Sequence, residues 1–300
     1  MRLFRPLLAT IAAALAFGVL AVDAAPASAI VGGQDATQVY DGITAMDIVV
    51  PDVGTVKCNG FLLDPTTVVT AAHCVSDDRM APDPVPYPAD EITLWIGSTQ
   101  RTGGQIAAVR SIELHPDWYW GMPTGLALSD LAKLHLTHPV RARTTRLATR
   151  QVAAGDPLRI LGWGLTSWPV PQGTPVATTL QQRDVVRLPD ADCEEGFIGA
   201  GELCLSEGTC YGDSGAPDER EVPGHHPGVS QWEATGIASR ENSAQTACYG
   251  PTVYTDLTYP SFRTWLQSCQ PAPLRPYTPM LTLDAAARHR INLLKPLIVR

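Results

Sequence analysis

Cys210-Tyr211-Gly212-Asp213-Ser214-Gly215-Ala216-Pro217 is the stretch on which the reading of this chain turns. A serine hydroxyl is a poor nucleophile until a base takes its proton. Glycine on both sides of the Asp-Ser pair lets the backbone turn sharply and leaves two N–H groups facing a developing oxyanion. Standing alone, a Gly-Asp-Ser-Gly run also reads as a polar turn. It acquires chemistry only if a base and an orienting acid stand elsewhere in the chain.

Two other stretches supply them. Thr70-Ala71-Ala72-His73-Cys74 follows the apolar Val68-Val69 and puts a histidine at the end of a buried strand, beside a cysteine. Ser129-Asp130-Leu131-Ala132-Lys133-Leu134 sets an acid before an alternating apolar strand. Singly, His73 reads as a structural histidine and Asp130 as a turn or cap.

In the order His, Asp, Ser, these stretches resemble the chymotrypsin/trypsin-like serine peptidase family, in a secreted, bacterial type. Further landmarks carry the resemblance: Ile30-Val31-Gly32-Gly33 as a mature amino terminus, Cys58 with Asn59-Gly60-Phe61-Leu62-Leu63, and Gly162-Trp163-Gly164. The stretch from Leu180 to Cys193 and Val253-Tyr254 before a terminal helix complete it. The resemblance runs from Ile30 to about Cys269.

It implies an all-β fold of two six-stranded antiparallel β-barrels, about 46–145 and 155–256, followed by a C-terminal helix. His73 is then the general base, Asp130 its orienting partner and Ser214 the nucleophile. The N–H groups of Gly212 and Ser214 form the oxyanion hole, and the ammonium of Ile30 pairs with Asp213. Bridges are implied for Cys58–Cys74, Cys193–Cys204 and Cys210–Cys248, which leaves Cys269 over. The implied partners are protein or peptide substrates. The alternative is a non-enzymatic member that binds proteins or glycans.

The chain departs from the family at the positions where the resemblance implies a specificity pocket, Gly208, Thr209, Ser239, Glu241 and Thr252. Trypsin-like members carry an Asp where Gly208 stands. Ser239-Arg240-Glu241 replaces the usual Ser-Trp-Gly, so a carboxylate takes a wall position. The expected preference before the scissile bond is a small or apolar residue, with a cationic residue read by Glu241 as the rival. Activity is expected at neutral to mildly alkaline pH, where His73 is neutral and an Ile30 ammonium still charged.

The residue pattern agrees with strands independently of the resemblance. Short β-rich runs bounded by turn residues occur at Thr66–Thr70, Ile92–Ile96, Ile106–Ile112, Leu158–Leu161, Val185–Leu188, Thr235–Ala238 and Thr252–Tyr254. Ser261–Gln267, after Pro260, reads as the terminal helix, and Asp77–Asp90 as an exposed loop. Among 300 residues there are 26 Pro and 25 Gly, a composition that favours short strands and turns over long helices.

The net charge of −8 argues against nucleic acid or an anionic membrane as main partner. Removing the basic ends leaves residues 30–270 more acidic still. Residues 1–29 pair a basic start with an apolar run and end on Ala27-Ser28-Ala29, the pattern of a secretory signal. The apolar run is shorter than the roughly 20 residues that span a bilayer, so no stable membrane association is expected after cleavage. Export implies an oxidising compartment for the seven cysteines. Direct cleavage after Ala29 would expose Ile30.

Residues 271–300 read as a Pro-punctuated linker and basic tail. His225-His226 lies between Pro-Gly pairs with no further ligand at metal spacing, so neither metal nor cofactor is expected.

Overall fold

Alternation of apolar and polar side chains builds the first half of the molecule. A computed structural model describes residues 30–50, 53–76, 84–119, 128–224 and 230–268. After the two-residue strand β1 (Gln34–Asp35) come β2 (Ile43–Val50), β3 (Gly54–Asp64), β4 (Thr67–Thr70), β5 (Ile92–Ile96), β6 (Gln105–Leu114) and β7 (Ala132–Leu136). In β5 the residues Ile92, Leu94 and Ile96 are buried while Thr93 and Trp95 are only half-buried, the period-2 signature of a sheet with one face inward. Strands β2 to β7 close as a barrel in the order β2-β3-β4-β7-β6-β5, antiparallel throughout. Met46, Ile48, Phe61, Leu94 and Leu134 fill its interior.

The second half adds β8 (Arg146–Leu147), β9 (Pro157–Gly162), β10 (Gln181–Leu188), β11 (Glu202–Leu205), β12 (Pro217–Pro223), β13 (Ser230–Glu241) and β14 (Thr252–Asp256). Strand β9 pairs with both β10 and β12, so β9-β10-β11-β14-β13-β12 is a second closed antiparallel ring of six. The expected two-barrel, all-β architecture with a C-terminal helix is what the chain adopts. Strand β12, Pro-Asp-Glu-Arg-Glu-Val-Pro, is one that residue type does not announce. Ladder bonds from β9 and β13 on its two sides hold it extended.

Each end of the described chain crosses to the other barrel. Strand β1 pairs with β10, matching Gln34 to Gln182, and Ile30 is fully buried with Leu158, Ile160, Val185 and Tyr254 of barrel two. Helix α2 (Pro260–Gln267) begins with proline, whose fixed φ suits the first turn and whose missing N–H is not needed there. Phe262, Trp265 and Leu266, spaced for one helical face, pack on the core of barrel one. Lys133 Nζ of β7 donates to Trp265 O at 3.2 Å and lies 4.3 Å from the centre of that ring. Disulfides join Cys58 to Cys74, Cys193 to Cys204 and Cys210 to Cys248.

The signal and tail readings (1–29 and 271–300), His225-His226 and Cys269 lie outside the described residues. Among the described residues no helix is long and apolar enough to cross a membrane.

Candidate active site

His73 sits on α1 (Ala72–Val75), a single turn that begins where β4 ends, and the Cys58–Cys74 bridge ties that turn to β3. Asp130 lies just before β7, which pairs with β4, so one ladder brings base and acid together. The contact is direct: His73 Nδ1 is 2.7 Å from Asp130 Oδ2, and the His73 backbone N–H donates to Oδ1 at 2.9 Å. Both side chains are almost wholly buried. A carboxylate on Nδ1 fixes the tautomer that leaves the Nε2 lone pair able to accept a proton.

Barrel two seats the same acid. Ser239 Oγ donates to Asp130 Oδ2 at 2.7 Å, and Thr255 Oγ1 donates to the Asp130 carbonyl at 3.2 Å. Burial pushes the Asp130 carboxyl up, but His73 and the hydrogen bonds outweigh it, and the net result is below the usual carboxylate range. Ser239 therefore serves the acid directly, a contact across 109 residues that its place in the pocket set does not reveal. The signal for it is a bulge: Ala238 pairs with Tyr254 and Arg240 with Val253, so Ser239 is left over and turned toward Asp130.

Ser214 lies on the turn before β12, which approaches the start of α1: a Cβ on the following Gly215 would meet Ala71 N at 3.2 Å. Its hydroxyl is buried and has no hydrogen-bond partner among the described residues. Its turn is gripped by Asn59 of β3, whose N–H donates to Ser214 O at 2.8 Å and whose Nδ2 donates to Gly212 O at 2.8 Å. Asn59 was not singled out from sequence, where it reads as a residue beside Cys58. Gly215 has φ +74°, and a Cβ there would lie 2.4 Å from both Asn59 O and Thr70 Oγ1, so glycine is obligatory. Among the described residues neither the Gly212 nor the Ser214 N–H donates a hydrogen bond.

Asp213 is fully buried and accepts from Gly164 N at 2.7 Å and Cys210 N at 3.0 Å. Gly162 and Gly164 cradle it: a Cβ at either would sit within 2.5 Å of the carboxylate. Burial raises its pKa to about 7 in spite of the two N–H donors.

The pocket residues separate. Thr209 Oγ1 is taken by Tyr254 OH at 2.8 Å, and Gly208 accepts from Val31 N at 2.8 Å. Glu241, opposite Thr252 at the end of β13, is buried, and neither carboxylate oxygen has a hydrogen-bond partner among the described residues. Burial drives its pKa well up, and Asp213 adds to the rise. The nearby Cys248 N–H offsets part of this without reaching hydrogen-bond geometry. Thr252 is buried, with Oγ1 likewise unpaired. Cys58, His73 and Cys74 come within ligand distance of one another, but both sulfurs are spent in one disulfide and offer no thiolate.

The family described as Trypsin matches residues 30–266. A trypsin of Sarcophaga bullata is 28% identical over 228 residues, covering 70% of this chain and 77% of the relative. Trypsin eta of Drosophila erecta is 30% identical over 267 residues, covering 84% and 93%. A trypsin of the organism Saccharopolyspora erythraea is 33% identical over 216 residues, covering 68% and 86%. With two closed barrels, a buried His-Asp pair beside a Gly-Asp-Ser-Gly turn, and matches across most of its length, this chain belongs to the trypsin family and is a serine-type endopeptidase.

Proposed function

We propose that this endopeptidase is secreted and hydrolyses peptide bonds through His73, Asp130 and Ser214. The observation that carries the reading is the buried Asp130 carboxylate, which accepts from His73 Nδ1 and Ser239 Oγ at 2.7 Å each, together with a buried Ser214 hydroxyl that has no hydrogen-bond partner among the described residues. Ser214 Oγ attacks the substrate carbonyl while its proton passes to His73 Nε2. The new oxyanion takes hydrogen bonds from the N–H groups of Gly212 and Ser214. Collapse expels the amine, which takes the proton from His73 and leaves an acyl-enzyme. Water then repeats the sequence, giving its proton to His73 and releasing the acid.

Activation pairs the Ile30 ammonium with Asp213. Ile30 has φ +66°, a left-handed conformation that a β-branched residue inside a chain adopts only at a steric cost. The clash involves the preceding peptide unit. It vanishes when Ile30 is the first residue, so its seat in barrel two suits a chain end. In this reading residues 1–29 are the export signal, 30–270 the peptidase and 271–300 a basic tail. The three disulfides support an extracellular site, and the Saccharopolyspora erythraea relative supports a bacterial type.

A cationic residue before the scissile bond would pair with the Glu241 carboxylate, which has no hydrogen-bond partner among the described residues, and is favoured over a small or apolar one. Profiling a peptide library with Glu241→Ala against wild type tests this, and an unchanged profile excludes it. For the catalytic reading, a sulfonyl fluoride should label Ser214 stoichiometrically in protein that starts at Ile30. Correctly matured protein that resists labelling would instead favour a binding module.

A further inference from the structure

Arg240 is fully buried and pairs with an equally buried Glu202. The guanidinium spans the carboxylate, with Nη1 at 2.7 Å from Oε1 and Nη2 at 2.8 Å from Oε2. Two further donors reach backbone: Nε to Gly196 O at 2.8 Å and Nη2 to Phe197 O at 3.2 Å. Glu202 accepts in turn from Gly199 N at 2.8 Å and from Leu128 N at 3.4 Å. Leu128 lies two residues before Asp130. The pair thus joins β13, the 196–199 turn, β11 and the segment that carries the catalytic acid.

A buried ion pair is a poor device for stability, because its desolvation offsets its attraction and an apolar pair of similar size serves as well or better. A bidentate guanidinium does fix direction. What needs fixing stands next to it in sequence. The bulge that turns Ser239 toward Asp130 turns Arg240 toward Glu202, and its conformation is set from both sides at once.

We propose that Arg240 is a positioning residue for the catalytic acid: locked on Glu202, it holds the β13 bulge and the Leu128–Asp130 segment so that Ser239 and Asp130 orient His73. This rests on the triad reading above. Arg240 has no exposed surface with which to touch substrate, so the effect is expected in turnover and not in binding.

The test uses Arg240→Met, Arg240→Lys and Glu202→Gln in matured enzyme, with turnover normalised to the fraction of Ser214 labelled by a sulfonyl fluoride. Arg240→Met should lower kcat roughly 10- to 100-fold, the scale set by small misplacement of a catalytic group, with KM nearly unchanged. A less well-held Asp130 stabilises the charged imidazole less, so the acid limb of the kcat/KM profile should move to lower pH. Arg240→Lys and Glu202→Gln should fall between Arg240→Met and wild type. Wild-type kcat per labelled site in Arg240→Met overturns the proposal, as does a loss confined to KM or to thermal stability. Should Arg240→Met yield no labelled protein, Arg240→Lys and Glu202→Gln decide by the same criteria. Failure of wild type itself to label would instead sink the triad reading.

Discussion

The two barrels share strand number and closure but differ in what they enclose. Barrel one packs Met46, Ile48, Phe61 and Leu94 around its axis, and its buried charges are matched: Lys133 with Glu113 at 3.1 Å, Arg101 with Asp47 at 2.7 Å. Barrel two and its turns bury the acids Asp213, Asp218, Glu219 and Glu241. Asp218 Oδ1, Glu219 Oε2 and both Glu241 oxygens have no hydrogen-bond partner among the described residues. Burial raises Asp218 to about 7, with Thr235 and Arg220 opposing and Asp256 adding. Burial, Asp218 and Asp41 together raise Glu219 to about 8 against the pull of Arg159. Burial thus favours the protonated form of Asp218, Glu219 and Glu241. The half that carries Ser214 is also the half that buries these raised acids.

The comparison yields four predictions. In the largest, catalysis should fail from either barrel, but unequally. Ser214→Ala removes the nucleophile of barrel two and should cost about 10⁶ in turnover. Asp130→Asn removes the acid of barrel one and should cost about 10⁴. Both are read as hydrolysis of a peptide substrate by folded, matured protein. Equal losses would mean that Asp130 does more than orient His73.

Next in size is a cation for the acids of barrel two. Retaining Ala29 leaves Ile30 without an ammonium, so a buried Asp213 stays unmatched at a cost of roughly 3–5 kcal/mol. Activity should fall roughly 10²- to 10⁴-fold relative to protein starting at Ile30. Equal activity of the two forms would remove Ile30 from the mechanism.

Leu94→Ala tests the apolar barrel. Leu94 is fully buried, and its truncation should cost about 2–5 kcal/mol in urea unfolding. The loss should be the same at pH 5 and pH 8, because no titrating group is touched.

Asp218→Asn tests the acidic one, and its sign follows from linkage. The folded carboxyl is raised from 3.8 to about 7, so between those values the folded state holds a proton that the unfolded chain has released. Stability from this group is therefore greatest below about pH 4, falls as pH rises through 7 and levels off above that. At about 1.4 kcal/mol per pKa unit, Asp218→Asn should gain on the order of 2–4 kcal/mol at pH 8 and nothing at pH 4. Catalysis needs neutral His73 and stability favours protonated acids, so the pH of greatest stability should lie below that of greatest activity.

What the sequence made legible follows from rarity and locality. A serine between glycines, a histidine beside a cysteine and an acid before an apolar strand are each marked by near neighbours, and the ladder from β4 to β7 brings the last two together. Strand β12 went unread because its charged residues are extended by partners on both sides and not by their own preference. The contacts that Ser239 and Arg240 make are illegible for a different reason. One bulge sends their side chains to Asp130 and Glu202, and the direction of a side chain at a bulge depends on a register that no local pattern encodes.

The exchanged ends bear on how the molecule comes into being. Strand β1 is made early but pairs with β10, whereas barrel one receives the packing face of α2 only after every strand of barrel two has been made. During synthesis from the amino terminus, barrel one can close its ring yet must wait uncapped. Barrel two in turn depends on a segment that has stood idle since the start. Such sequence-distant pairings form late and expose apolar surface meanwhile. The seat of Asp130 is likewise complete only once β13 and β14 are made, since Ser239 and Thr255 supply two of its hydrogen bonds.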